Sequence, residues 1–414
     1  MTLPAPVWPA ADGLPALRAG DAVHLVGVGG AGMSGLARAL HQLGLRVSGS
    51  DRQPSPLLEA LAAEGMAVAA GHGAERLPAD CRLVVHSPAV PLDHVELAEA
   101  RARGLPIAKR APLLGALMEL RYGIAVAGTH GKSTTSALLA WVLASAGLQP
   151  SWFVGAECPD LGSNARLGRG PHLVLEADEY DRSFLHGHPR LAVLLNLEHD
   201  HPDIYPDRAA VEAAFAEFAA RVPAEGLILV NAASAPAWAA AGGAKAARRA
   251  FLVAGDEAAP DCQASWVAEV VESGPEGSRF VVRVDGQDAG QWSIGLPGRH
   301  NVANALAVIA AAETLGVDRG HAASALATFR GIGRRFELRH DLAGLAVVDD
   351  YAHHPTEIRA TIAAARQRYP GRPVIAVVEP HTYSRVAALL PDFRDAIRSA
   401  DRGVVLPIYA AREE

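Results

Sequence analysis

Short apolar runs rich in valine, isoleucine and leucine punctuate the chain, separated by longer alanine-rich stretches whose apolar positions recur at helical spacing. The runs fall at 23–28, 83–85, 124–127, 173–175, 191–195, 227–230, 345–348 and 374–378. Strands alternating with helices in this way predict an α/β architecture with mostly parallel sheets. No repeat at solenoid periods is present. The alternation is interrupted twice. Near 110–122 a short helical stretch precedes a new strand and a glycine loop, and near 331–335 a fresh strand–helix alternation begins. Three domains are therefore expected, over 1–118, 119–331 and 332–414. The alanine-rich segment 232–250, which contains Trp238, is expected to form an ordinary surface helix.

Composition narrows the class. Of 414 residues, 50% are hydrophobic and 20% charged, which is the balance of a folded protein and excludes global disorder. A net charge of −7 gives no bulk attraction to nucleic acid or an anionic membrane, so any anionic ligand needs a local site. No apolar stretch is long enough to cross a bilayer and the N-terminus lacks a basic segment followed by an apolar core, so the cytoplasm is the expected compartment. Cys81, Cys158 and Cys262 are odd in number and far apart, and read as reduced structural thiols. Lysine is confined to Lys109, Lys132 and Lys245, which gives weight to a lysine inside a motif.

Three segments carry chemistry. The first, GVGGAGMSG at 27–35, runs from a strand through Gly-x-Gly-x-x-Gly into a helix, and Asp51 closes the following strand. Such glycines let the backbone approach a diphosphate at a helix N-terminus, and the acid can bond a sugar or base. The pattern fits NAD and UDP-sugars alike. The second, GTHGKSTT at 128–135, also joins a strand to a helix. Its N–H groups suit phosphates, Lys132 offers a point charge and Ser133 can ligate Mg²⁺, although the Gly128 to Gly131 spacing is shorter than the usual Walker loop. Downstream, EADEYD at 176–181 and NLEHDH at 196–201 end two more strands in acids and imidazoles, where hard oxygen ligands beside a phosphate loop suit Mg²⁺. His199 and His201 lack a third zinc-type ligand at a persuasive spacing. The third group, Arg334 to Glu337, DDYAHHP at 349–355 and PHTYSR at 380–385, gathers basic and aromatic side chains at one sheet edge, able to bind carboxylates and phosphates.

With GRHNVAN at 298–304 added, these motifs resemble, in order and spacing, the Mur ligase family over essentially the whole chain, and within it the alanine-adding branch. The resemblance implies an N-terminal UDP-sugar-binding Rossmann-like domain, a central ATP-binding domain and a C-terminal Rossmann-like domain. It implies that Gly27, Gly29, Gly30, Gly32, Asp51, Ser87 and Arg166 hold the UDP-sugar. Gly128, Thr129, His130, Gly131, Lys132, Ser133, Thr134, His300, Asn304 and Asp350 would bind ATP, with Arg335 on the triphosphate. Ser133, Glu176 and His201 would hold Mg²⁺, or Mn²⁺ in its place. Tyr351, His353, His381 and Arg385 would surround the incoming amino acid, and Lys132, Glu176, His201, Arg335, His353, His381 and Arg385 would carry catalysis.

The implied substrates are UDP-N-acetylmuramate, L-alanine and ATP, joined through an acyl phosphate, with no nucleic acid and no membrane insertion. Related ligases carry a carbamylated lysine after the histidine matching His201; here no lysine lies between Lys132 and Lys245, so no carbamate is expected. The stretch 179–182 also resembles a recycling ligase that attaches a tripeptide, while PHTYSR favours the alanine enzyme. The chain ends at Glu414, ahead of further strands the resemblance leads one to expect, so a shortened C-terminal domain with an open sheet edge is anticipated. Two other classes stand as rivals: an NAD-dependent dehydrogenase, which leaves the second glycine loop unused, and a non-catalytic nucleotide-binding protein.

Overall fold

The structure, a computed structural model, describes Trp8 and residues 14–414 apart from 343, 412 and 414. The N-terminal unit comprises β1 (Ala22–Val26), α1 (Ala31–Gln42), β2 (Arg46–Asp51), α2 (Pro56–Ala63), β3 (Ala67–Ala70), β4 (Cys81–His86), α3 (Val95–Ala102), β5 (Ile107–Lys109) and α4 (Arg110–Glu119). Its strands form one parallel sheet in the order β3-β2-β1-β4-β5. The order reverses beside β1, which is where an open parallel sheet leaves a crevice for a ligand. Every residue of β1 is buried, as a strand covered on both faces requires. Beneath it His24, Ser50 and the Gly73 N–H all bond the buried carboxylate of Glu96.

The central unit runs through β6 (Tyr122–Ala127), α5 (Lys132–Ser145), β7 (Ser151–Phe153), β8 (Ala165–Arg166), β9 (His172–Glu176), β10 (Leu191–Leu194), α6 (Arg208–Ala220), β11 (Leu227–Asn231), α7 (Ala235–Ala240) and β12 (Ala247–Val253). It continues with β13 (Ala264–Gly274), β14 (Gly277–Val284), β15 (Gln287–Ile294), α8 (Arg299–Thr314) and α9 (Arg319–Thr328). Ten strands form one sheet in the order β15-β14-β13-β12-β11-β10-β6-β9-β7-β8. It is parallel from β7 to β13 and antiparallel in the meander β13-β14-β15 and at the edge pair β7-β8. α5 and α8 are almost wholly buried and pack on one another on one face of the sheet. The segment 232–250 differs from expectation: only six residues are α-helical, Ala237 and Ala240 are buried, and by Ala247 the chain has become β12. Its alanines serve as small residues packed against α6, not as one surface helix.

The C-terminal unit comprises β16 (Glu337–Leu342), β17 (Leu345–Asp349), α10 (Pro355–Arg368), β18 (Ile375–Val378), α11 (Tyr383–Arg398) and β19 (Arg402–Val405). β16 and β17 pair antiparallel, and β18 and β19 pair parallel as a separate ribbon. α10 and α11 pack together over a small core of Ile358, Ile362, Val378, Phe393 and Ala396. All four β19 residues are exposed. No helix among the described residues is long and apolar enough to cross a membrane.

Candidate active site

Two glycine loops open the site. The loop after β1 leads into α1, and the loop after β6 into α5; no side chain caps either helix start, so their first N–H groups face outward as anion donors. In the first loop the Gly29 N–H donates to Asp51 Oδ2 at 2.8 Å, which anchors the glycine turn to the end of β2. Ser87 abuts Gly27, where a Cβ would come within 3.2 Å of its own. In the second loop Gly131 is left-handed at φ +85°, and a Cβ there would sit 2.7 Å from Asn304 Oδ1. Only glycine meets both conditions. Asn196 clasps the loop, accepting the His130 N–H at 2.8 Å and donating to the His130 carbonyl at 3.0 Å.

Lys132 Nζ lies 2.7 Å from the Glu179 carboxylate and donates to the Gly128 carbonyl. Burial opposes its charge, but Glu179 and the neighbouring acids outweigh burial and keep it protonated. Burial in turn pushes Glu179 up to about 7, against the pull of Lys132. Ser133 Oγ donates to Glu176 Oε1 at 2.7 Å, and Glu176 Oε2 accepts the Gly155 N–H. His201, at φ +55°, has Nε2 3.8 Å from Glu179 Oε1, and burial lowers its pKa.

A cavity of about 210 Å³ runs from the start of α1 to the end of β9, lined by Gly32, Arg110, Asn164, Glu176 and Asp178. Arg110 lies beneath Gly32, its guanidinium 3.0 Å from where a Cβ would stand, with Asp178 and Glu176 nearby to offset its burial. No motif announces Arg110; its one signal is its place directly after β5, at a strand end facing the crevice. Arg166 is placed differently from the expectation. It lies 5.7 Å over the Trp152 ring and lines another cavity with Gln149 and Arg169, because adjacent Ala165 takes the face that meets α1.

A larger cavity, about 390 Å³, lies between the central and C-terminal units. His130, Gly131, Ser133, Thr134, His300 and Asn304 line it from one side, and Arg335, Asp350, Thr356 and Glu357 from the other. Phe251, Leu296, Ile332 and Phe336 supply apolar walls, and Asn301, absent from the expected set, lies beside Asn304. Burial pushes His300 down to about 4 and Asp350 up. Thr129 turns toward Glu198, accepting its N–H at 2.9 Å.

Other C-terminal motif residues converge beside Asp200 and His201. Arg385, itself buried, donates to Asp200 Oδ1 at 2.7 Å across 185 residues and lies 3.5 Å from His201 Nδ1. Its Nη1 is 3.2 Å from His381 Nδ1, and the His381 and His353 rings are 5.8 Å apart. Tyr351 stacks under Arg334 and Arg335 and edges His353. Asp200, Glu198 and Glu357 lie within or just beyond quoted motifs, yet their pairings join residues 158 or more apart in some cases and leave no local signal.

One domain offering a phosphate loop and another sealing it with arginine and carboxylate side chains is the arrangement of a phosphoryl-transferring enzyme. Family descriptions match in succession: "Mur ligase family, catalytic domain" over 22–122, "Mur ligase middle domain" over 126–312 and "Mur ligase, glutamate ligase domain" over 334–407. The UDP-N-acetylmuramate--L-alanine ligase of Oleidesulfovibrio alaskensis is 43% identical over 94% of this chain and 84% of its own length. That of Solibacter usitatus is 44% identical over 95% and 81%. Among solved structures, the Thermotoga maritima UDP-N-acetylmuramate-alanine ligase superposes with a TM-score of 0.79 at 28% identity, covering 94% of this chain and 85% of that one. A murein peptide ligase from Psychrobacter arcticus gives 0.73 at 28%, covering 94% and 91%. The chain belongs to the Mur ligase family.

Proposed function

We propose that the chain joins L-alanine to the lactyl carboxylate of UDP-N-acetylmuramate, driven by ATP, as a step of peptidoglycan precursor synthesis in the cytoplasm. It is an ATP-dependent amide-forming ligase. The observation that carries the reading is the cavity joining Gly32 to Glu176, since Glu176 touches Ser133 of the phosphate loop. A sugar nucleotide held by Gly27, Gly29, Gly30 and Gly32 would pass its acyl end over Arg110 toward the nucleotide at Lys132. In domain terms, 1–118 would hold the UDP-sugar, 119–331 ATP, and 332–414 would close over both.

The lactyl carboxylate attacks the γ-phosphorus, and the bond to the β-phosphate oxygen breaks, giving an acyl phosphate and ADP. The amine of L-alanine then adds to the acyl carbon, loses a proton, and phosphate leaves. Negative charge collects on equatorial phosphoryl oxygens in the first step and on the acyl oxygen in the second. Lys132, the first N–H groups of α5, Arg110 and Arg335 are positive groups placed for that charge, so positioning and electrostatics carry the acceleration. Lys132 must exchange Glu179 for phosphate when ATP arrives. The Ser133 hydroxyl and Glu176 carboxylate are a hard oxygen pair that fits Mg²⁺, or Mn²⁺, with His201 beside a second such position. A divalent cation there would neutralise charge on the triphosphate. Tyr351, His353, His381 and Arg385 would receive the amino acid. The test is phosphate release by the purified chain with ATP, UDP-N-acetylmuramate and a panel of amino acids. Release that requires both the sugar nucleotide and L-alanine is expected; release dependent on neither refutes the reading.

A further inference from the structure

Between the central and C-terminal domains lies a polar cluster that the chemistry above leaves unused. His130 belongs to the phosphate loop, two residues before Lys132, and Asn196 fixes its backbone on both sides. Its ring nitrogens face two different carboxylates: Nε2 is 3.6 Å from Glu198 Oε2 and Nδ1 is 3.2 Å from Glu357 Oε1. Glu198 follows β10 in the central domain, whereas Glu357 stands on the first turn of α10 in the C-terminal domain. A neutral imidazole has one N–H; only the imidazolium can address both anions. Thr356 Oγ1, also on α10, donates to Glu198 Oε2 at 2.7 Å and makes a second tie across the same seam.

We infer that His130 is a positioning residue: its imidazolium bridges Glu198 and Glu357 and so couples seating of the C-terminal domain to the conformation of the loop that presents Lys132. The inference rests on the reading of the chain as an ATP-dependent ligase. When α10 swings away, Glu357 leaves, the cation keeps one partner, and the loop loses its fixed contact to the closing domain. A latch made this way reports closure to the atoms that hold the triphosphate.

The surrounding charges agree. Burial pushes His130 down, but the Glu198 and Glu357 carboxylates that face its two nitrogens outweigh it and hold it at about 9. His354, the residue that caps the start of α10, lies with its ring centroid 4.7 Å away and accepts the Thr356 N–H at Nδ1, so it is the neutral partner. Burial and the His130 charge push it down to about 4. His300, from α8, is likewise held neutral by burial. Arg335 reaches Glu357 Oε1 at 3.5 Å and shares that carboxylate. Because the folded value of His130 lies above its ordinary 6.5, the bridge is fully present near neutrality and is lost as pH rises through about 9.

The experiment measures the distance between spin labels on cysteines placed at exposed Glu225 and Arg398, one in each domain, in the full chain with Cys262→Ser. Adenylyl imidodiphosphate and UDP-N-acetylmuramate are added to saturation. The wild type is expected to show a short-distance population that declines above about pH 9. His130→Gln and Glu357→Gln are each expected to lose that population at neutral pH and to lower kcat/KM for ATP by about tenfold or more. The double variant should be no worse than either single one, since one bridge is removed in each case. Distances unchanged in the variants, or effects that multiply in the double variant, overturn the inference. Should His130→Gln fail to fold, Glu357→Gln and the wild-type pH profile decide alone. Wild-type turnover is scored separately, so an inactive chain that still closes in this manner refutes the function and not the latch.

Discussion

Lys132 is held by a carboxylate where the proposed function puts a phosphate. Glu179 supplies the negative charge its ammonium needs in a buried place, and the bond of 2.7 Å shows how an anion sits there. Lys132→Ala should therefore cost at least about 10²-fold in turnover, because a charge-assisted contact to the transferred group is lost. UDP-sugar affinity should be unaffected, and calorimetry alongside the rate assay separates the two. Glu96 is a different kind of buried charge, remote from the phosphate loop. Burial pushes its carboxyl up, yet bonds from His24, Ser50 and the Gly73 N–H win and hold it at about 2, below the usual 4.5. A depressed carboxyl stabilises the fold above its unfolded value, and that contribution fades as pH falls through the folded one. Glu96→Gln should then destabilise by about 1–3 kcal/mol at pH 7. Denaturant titrations should find the gap to wild type narrowing between roughly pH 4.5 and pH 2; a gap constant across that range would show that charge is not what Glu96 contributes.

The two strand–loop–helix units carry the proposed ligand contacts, and Gly131 is where the second is tightest. Left-handed at φ +85° and facing Asn304 Oδ1 at 2.7 Å, it admits a Cβ only with a strained backbone and a displaced Asn304 side chain. Gly131→Ala should weaken ATP binding by at least about tenfold, a loss near 1.4 kcal/mol that left-handed strain alone can supply, while leaving the melting of the N-terminal sheet unchanged. Wild-type ATP affinity in that variant would mean the loop does not need its present shape. These units were legible in the sequence because strands buried on both faces read as continuous apolar runs and the glycine loops are contiguous. The meander β13-β14-β15 was not: residues such as Glu269, Arg279 and Gln291 alternate toward solvent and break the apolar run. β16, Glu337–Leu342, mixes charged with apolar residues, so no apolar run announced its pairing with β17. The site was legible only as far as its motifs were contiguous. Arg110 under Gly32 and the Asp200 partner of Arg385 are products of tertiary contact alone.

At the scale of the molecule the amino-acid pocket of the proposed function requires the C-terminal domain to rest on the central one. Arg385 reaches from α11 to Asp200, and both side chains are buried at the seam, beside His201 and the His381 ring. Asp200 is held well below the usual carboxylate range, where burial is outweighed by the charge and hydrogen bond of Arg385, so this tie persists across any physiological pH. A pocket made by two domains closing on each other limits the size of what it can enclose. L-Alanine should therefore be consumed in strong preference to the tripeptide L-alanyl-γ-D-glutamyl-diamino acid, whose bulk would keep α11 from reaching Asp200. Discrimination against glycine rests on a single methyl group, worth about 1–3 kcal/mol, so a ratio of roughly 10- to 200-fold in kcat/KM is its ceiling. Asp200→Asn should erode both preferences together, since it frees Arg385 and loosens the enclosure, and should raise KM for L-alanine more than KM for ATP. Competition between the two acceptors, followed by mass spectrometry of the UDP-linked products, reads this directly. Preferential use of the tripeptide by the wild type would place the chain in the recycling branch and return attention to 179–182, where Asp181 and Arg182 both adopt left-handed backbone.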